Sequence, residues 1–343
     1  GGSYHSLVSP LPSPGMSELE SSLSTFFLHK DFRDYWEHEG WSASLGLDLD
    51  PIPLQLRLVW TDQDHTFAPV SSPWTLRRND DPWRPQPLVA EGDLRTLSGE
   101  IGFDDRNDPE HPSDGWLITA SLIRGVDGGL LVPEVETPGP DPVTVPARSV
   151  EAGFTAASVD LRRYNRISPS SELNARLFWG GSVDGGPLPA QFQTAIGGEG
   201  TLPGYSLFDL DCGARNERFS IRRVAFDDDQ DTTHPVFPSY GCDRALLVQF
   251  EVRTHLPLDL GWGDADDPTA SWDWFPVVDL DPTLVGFFDL GRGWSETDPA
   301  LDEATVSDIG LGLYLGDVGF HWAWPLNGDG RKLNFFVRLQ RRF

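Results

Sequence analysis

Carboxylates are the most abundant reactive groups of this 343-residue chain, where 53 Asp and Glu stand against 26 Lys and Arg for a formal net charge of -27. Two carboxylates at a set separation can hydrolyse a glycosidic bond, but in so acidic a chain some pair satisfies any loose spacing, and none stands out. The clusters Asp227, Asp228, Asp229, Asp231 and Asp104, Asp105, Asp108 hold enough oxygens for calcium. Neither has the spacing or the closing glutamate of an EF-hand, and solvated acidic loops account for both. The histidines, among them His5, His29, His65, His111 and His321, share no ligand spacing, so no metal is expected. Gly-x-Ser-x-Gly, His-Glu-x-x-His and a phosphate-binding Gly-rich loop ending in Lys-Ser/Thr are all missing, so neither an enzyme nor a cofactor is expected. Nucleic acid is excluded as a partner, because a phosphate backbone calls for a basic footprint. Cys212 and Cys242, the only cysteines, lie about 30 residues apart. In an oxidising compartment they are expected to form a disulfide worth about 3 kcal/mol on the chain-entropy model; two separate buried thiols are the alternative.

The elements that must position such groups show a period of two. Residues 309–315, 320–326 and 333–343 each place apolar residues at every second position, while Gly310, Gly312, Tyr314, His321, Asn334, Phe336, Arg338, Gln340 and Arg342 share the other face. Strands with an apolar face outward and a polar face inward suit a membrane-spanning β-barrel, since only a closed sheet satisfies every backbone group in lipid. The same alternation predicts strands at 26–36, 41–49, 54–60, 97–103, 116–122, 154–164 and 173–179, with a turn at 37–40, and again at 248–253 and 285–291. About seven strands precede the long stretch 180–242 and about five follow it. The expected fold is therefore all-β: a closed antiparallel transmembrane barrel of about twelve strands, in which 333–343 pairs with 26–36. Ser- and Pro-rich residues 1–22 read as a linker or extended tail, and 23–343 as the barrel domain. Short turns and long loops alternate, which puts the short turns on the periplasmic side and the long loops outside. No run of about 20 apolar residues could form a transmembrane helix, and the first residues do not read as a signal peptide. The 13 Trp and 20 Phe suit aromatic girdles. Arg57, Arg162, Arg176, Arg253 and Arg338 fall on the inner face with Asp160 and Glu251; they either give the lumen an anion preference or fill it with ion pairs.

Residues 191–205 contain Ile196-Gly197-Gly198-Glu199-Gly200-Thr201-Leu202-Pro203-Gly204-Tyr205. This resembles the sixth-loop motif of the bacterial surface-antigen superfamily, the outer-membrane assembly factors and two-partner secretion transporters. There a Gly-Gly pair precedes an Arg-Gly-Tyr or Arg-Gly-Phe tip. Downstream, Phe250-Glu251-Val252-Arg253 is similar to the family's Glu-aromatic-Arg strand, Phe288-Asp289-Leu290-Gly291 to its Phe-x-Asp-x-Gly strand, and the ending on Phe343 to its C-terminal assembly signal. The resemblance implies an outer-membrane barrel of Gram-negative type with 197–205 folded into the lumen. It also implies outer-membrane lipids, lipopolysaccharide and the outer-membrane assembly machinery as partners. Two roles follow from it: insertion or translocation of protein or lipid through an opening between first and last strands, or a membrane-embedded anchor. The family's periplasmic transport-associated domains have no counterpart before the barrel, so a missing N-terminal domain or a periplasmic partner is expected. Pro203 stands where the family has its tip arginine, which leaves Asp289 to find another cation such as Arg253. A soluble β-sandwich binding carbohydrate through exposed Trp is the alternative from another class.

Overall fold

The computed structural model describes residues 1–11, 17–29, 31, 33–68, 73–76, 89–136, 144–145, 147–205, 241–256, 282–295, 305–327 and 332–342. The elements run β1 (Gly2–Pro10), α1 (Glu18–Leu28), β2 (Tyr35–Asp48), β3 (Leu54–Phe67), β4 (Gly92–Asp104) and β5 (Gly115–Gly128). Two small ribbons follow, in which β6 (Leu130–Val132) pairs with β9 (Arg148–Val150) and β7 (Val135–Glu136) with β8 (Thr144–Val145). Then come β10 (Thr155–Ser168), β11 (Ser171–Ser182), β12 (Arg244–His255), β13 (Pro282–Trp294), β14 (Thr305–Leu315), β15 (Val318–Pro325) and β16 (Asn334–Arg338). The twelve long strands form one antiparallel sheet in the order β1-β2-β3-β4-β5-β10-β11-β12-β13-β14-β15-β16. Each pairs with its neighbour in the chain. Seven stand before residues 197–205 and five after.

The sheet is packed inside out. Phe250, Val252, Leu284, Phe288, Ile309, Leu311, Phe335 and Val337 are exposed, while Asn174, Gln249, Glu251, Arg253, Asp289, Asp308 and His321 are fully or almost fully buried. In water such an arrangement would forfeit the gain from apolar burial and bear the cost of burying charge. Surrounded by hydrocarbon, the same side chains face the phase that suits them. A sandwich of two stacked sheets, as a soluble carbohydrate-binding protein would need, is not what these strands build.

The first strand lies elsewhere than the alternation predicts. β1 occupies residues 2–10, within the stretch read as a linker, and α1 takes the first part of the stretch read as the first strand. Local chemistry explains the helix. Ser17 is its N-cap, with Oγ accepting from the Glu20 N–H at 3.2 Å while the Glu20 carboxylate accepts from the Ser17 N–H at 3.2 Å, a reciprocal capping box. Leu19, Leu23, Phe26 and Phe27 then recur at helical rather than strand spacing. The turn expected at 37–40 is also absent, since β2 runs unbroken from Tyr35 to Asp48.

Among the described residues the two edges of the sheet are not paired with each other. Among the described residues β1 pairs only with β2, and β16 only with β15, so the expected pairing of last strand with first is not made. β16 stops at Arg338, short of the strand expected to 343, and beyond it Gln340 is exposed while Arg342 is buried. Phe343 lies outside the described residues. Contact with the last strand comes instead from α1: Glu20 Oε1 accepts from Arg338 Nε at 2.7 Å and from the Leu339 N–H at 3.0 Å. Because α1 joins β1 to β2, it connects the first edge to the last.

Burial alone would push the Glu20 carboxyl up, but the Arg338 guanidinium and the hydrogen bonds from Leu339 and Ser17 outweigh it, so the group is held below the ordinary glutamate range. A depressed carboxylate contributes stability that is complete above its unfolded pKa and is lost as pH falls through the folded value. Cleavage of 17–29 by an acid-tolerant protease should therefore rise as pH drops below the ordinary glutamate range. Glu20→Gln should produce the same exposure at pH 7, at a cost of about 3 kcal/mol for stranding Arg338. Equal protection of variant and parent at pH 7 would show that the pair does not hold α1.

Candidate functional site: a lumen filled from within

Short connections at 49–53, 105–114, 169–170 and 316–317 define one end of the sheet, and the long ones at 68–91, 129–154 and 183–243 the other. Most of the connection 256–281, also at the short-turn end, lies outside the described residues. The acidic cluster at 104–108 is part of a turn. Asp104 holds Arg106 at 2.7 Å, and Asp108 accepts from the N–H groups of Glu110 and His111 at 2.8 and 3.2 Å, which keep its carboxyl below the usual aspartate range. The cluster at 227–231 lies outside the described residues. Among those described, no group of three or more His, Cys, Asp or Glu is arranged to hold a metal.

From the long-loop end, residues 194–205 enter the lumen. Their main chain curls tightly, with Gly198 N–H to Tyr205 O at 2.9 Å, Thr201 N–H to Gly198 O at 3.1 Å and Tyr205 N–H to Leu202 O at 3.0 Å. Gly197 and Gly198 supply the positive φ values, 111° and 76°, that the curl requires. The Thr201 hydroxyl ties the base of the curl through the Gly197 N–H and C=O.

The wall receives this loop through groups placed for it. The Gly204 N–H donates to Asp308 Oδ2 at 2.7 Å, and a Cβ at Gly204 would lie 2.6 Å from the Asp308 Cβ, so only glycine allows that approach. Gln249 donates to Thr201 O at 2.8 Å, Asn334 to Pro203 O at 3.0 Å and Arg338 to Glu199 O at 3.1 Å. The Tyr205 hydroxyl lies within 3.0 Å of Ser307 O, Asn327 O and Asn327 Oδ1. Gly291 makes room for Leu202, whose Cδ1 a Cβ there would meet at 2.3 Å. Leu202 packs with Ile196, Phe178, Leu247 and Val306 in an apolar cluster inside the lumen.

Asp289 takes its cation from the end of the chain. Arg342 Nη2 donates to Asp289 Oδ2, its Nη1 lies 3.6 Å from Glu251 Oε2, and its guanidinium sits 4.1 Å from the centre of the Phe287 ring. Arg253, expected beside Asp289, pairs with Glu251 instead, two residues away on the same strand. Asp289 and Asp308 are direct partners in the β13–β14 register. Arg342, the Gln249 amide and the Gly204 N–H share the work of satisfying the two carboxylates.

The other inner arginines form ion pairs in series. Arg176 and Arg162 both hold Asp160 at 2.8 Å, and Arg176 reaches Gln249 Oε1 at 3.2 Å. Arg57 shares the lumen side with Glu100, 3.6 Å away, but both are about half exposed near the short-turn end and lie apart from this network. Phe288 points outward. Cys242 is buried and bridged to Thr194 through the backbone, while Cys212 lies outside the described residues. Sequence reasoning missed the roles of Asp308, Gln249 and Asn327. Asp308 had a readable signal, since it extends the inward series Gly310, Gly312, Tyr314 by one step; Asn327 had none, lying just past its strand.

Among solved structures, the chain matches the crystal structure of BamA from Haemophilus ducreyi lacking POTRA domains 1-3, with a TM-score of 0.53 over 89% of this chain. The fold is that of the BamA barrel. Sequence identity is 14%, and the match spans 54% of that BamA chain, so this chain corresponds to about half its length. No family model and no curated protein matches.

The filled lumen leads to a direct measurement. In planar bilayers, deleting 198–205 should raise single-channel conductance several-fold, and Gly204→Ala, which pushes the tip off Asp308, should give intermittent openings. Unchanged conductance in the deletion would mean that other segments block the pore.

Proposed function

We propose that this chain is an integral barrel of the Gram-negative outer membrane, related to the surface-antigen superfamily, that helps protein or lipid enter the membrane at the edge between β1 and β16. The observation that carries this reading is the unpaired edge in an otherwise continuous sheet. Backbone groups left open in hydrocarbon are costly, and an incoming strand or a local thinning of the bilayer can satisfy them. The match to a BamA barrel supports the reading at the level of fold. The lumen favours it over a diffusion pore, since loop, arginines and C-terminal residues occupy the space through which solute would pass. An anchor role for the same barrel is the simpler form of the proposal, in which the edge stays inactive.

Outer-membrane lipid and lipopolysaccharide would surround the exposed apolar face, and the outer-membrane assembly machinery would place it there. No described helix is long and apolar enough to cross a membrane, which says nothing of strands. On this reading Cys212 and Cys242 form a disulfide on the long-loop side, which peptide mapping without reduction would detect as a linked pair; free thiols on both in protein folded under oxidising conditions would overturn it.

The functional test is reconstitution. Vesicles containing this protein should accelerate the folding of a urea-denatured outer-membrane barrel several-fold over empty vesicles, read by the heat-dependent gel shift of the client. Acceleration should disappear when cysteines introduced into β1 and β16 are crosslinked. Folding at the empty-vesicle rate, with this protein itself folded, would leave only the anchor role.

A further inference from the structure

The short-turn end of the lumen opens into a cavity of about 510 Å³. Five of the chain's 26 basic residues line it: Arg106, Arg162, Arg338, Arg341 and Arg342. In a chain of net charge -27 this convergence needs a cause, and structural pairing explains only four of the five. Arg106 is neutralised by Asp104 at 2.7 Å, Arg162 by Asp160 at 2.8 Å, Arg338 by Glu20 at 2.7 Å and Arg342 by Asp289 with Glu251.

Arg341 is different. It is half-buried and makes no hydrogen bond or ion pair among the described residues; Arg253 repels it, while Glu172 and Glu251 attract it from beyond ion-pair distance. A second group on the same wall is unsatisfied: Nε and Nη1 of Arg342 are buried without a hydrogen-bond partner, Nη1 having only the 3.6 Å approach to Glu251. The acidic residues on the lining, Glu110 and Asp317, are both exposed on turns, where solvent screens them.

We propose that this cavity is a binding site for a phosphate group. A guanidinium fork matches the geometry of an oxyanion, and the pair is strongest where water is partly excluded. One fork satisfies both oxygens of a carboxylate. A phosphate keeps further oxygens free, so it can engage Arg341 and turn towards the open donors of Arg342 at once. Ser17 before α1, the 105–114 turn and the β14–β15 turn line the cavity, the two turns lying at the short-turn end. Phosphate could arrive free in solution or as the headgroup of a phospholipid.

The test uses the full chain folded in detergent micelles and in nanodiscs. Inorganic phosphate titrated at low ionic strength should give saturable binding by calorimetry. Arg341→Gln should weaken it tenfold or more and Arg341→Lys by less, whereas Arg57→Gln, which changes the same charge on an exposed strand, should leave it unchanged. The gel shift on heating confirms that each variant is folded; if Arg341→Gln fails to fold, Arg341→Lys carries the comparison. Binding in micelles identifies free phosphate as a sufficient ligand. Binding seen only as retention of phosphatidic acid in nanodiscs, sensitive to the Arg341 variants, identifies the headgroup. No saturable binding of either, or equal losses in the Arg341 and Arg57 variants, would overturn the proposal.

Discussion

A carboxylate sealed inside a barrel must have its charge answered by a donor within contact distance, and Asp289 sets that condition for this lumen. It sits beside Asp308 in register, so two acids compete for the same donors. Arg342, Gln249 and the Gly204 N–H meet the demand together. Each of these comes from a different part of the chain: the C-terminal residues, the neighbouring strand and the inserted loop. Removing one would strand a charge that neither water nor lipid can reach, at a cost far above that of losing an apolar contact. The electrostatic demand of one strand thus draws in the loop, the tail and the wall.

Pro203 makes the arrangement intelligible. Proline cannot supply a cation, so the loop tip offers a backbone N–H, a carbonyl and the ring and hydroxyl of Tyr205. The wall answers with an acceptor at Asp308 and a donor at Asn334. Charge has moved from the loop to Arg342, which enters from the opposite end of the lumen. Loop and arginine therefore meet the same carboxylate pair without touching the same oxygen.

Much of the wall was legible in the sequence because a strand between lipid and lumen imposes a strict period of two. From Phe250 to Arg338 the alternation predicts the strands and their buried face, with Arg176, Glu251 and Arg338 inward by parity; past Arg338 it fails, since the strand ends and Gln340 is exposed. The N-terminal edge was not legible in the same way. His5, Ser9 and Pro10 give β1 little contrast between its faces, and both faces are in fact exposed. The aromatic run after Ser17 hid a helix whose evidence was the capping pair Ser17 and Glu20. The count of strands came out at twelve because one unexpected strand replaced one that is helical. Partnership inside the lumen was the least legible part. Parity puts Arg253 and Arg342 on the same side of the sheet, but whether either reaches Asp289 depends on the stagger between strands.

The order of the sheet also bears on how the barrel forms. Every wall strand pairs with its neighbour in the chain, across connections that are mostly short at one end, so the wall can grow hairpin by hairpin with little loop entropy to overcome. The contacts inside are of the other kind: Glu20 with Arg338, Asn334 with Pro203 and Tyr205 with Asn327 join residues more than a hundred positions apart. They can form only once the wall has brought their strands round. Loop entropy therefore favours wall first and interior second, the loop and the terminal arginine settling between strands that are already paired.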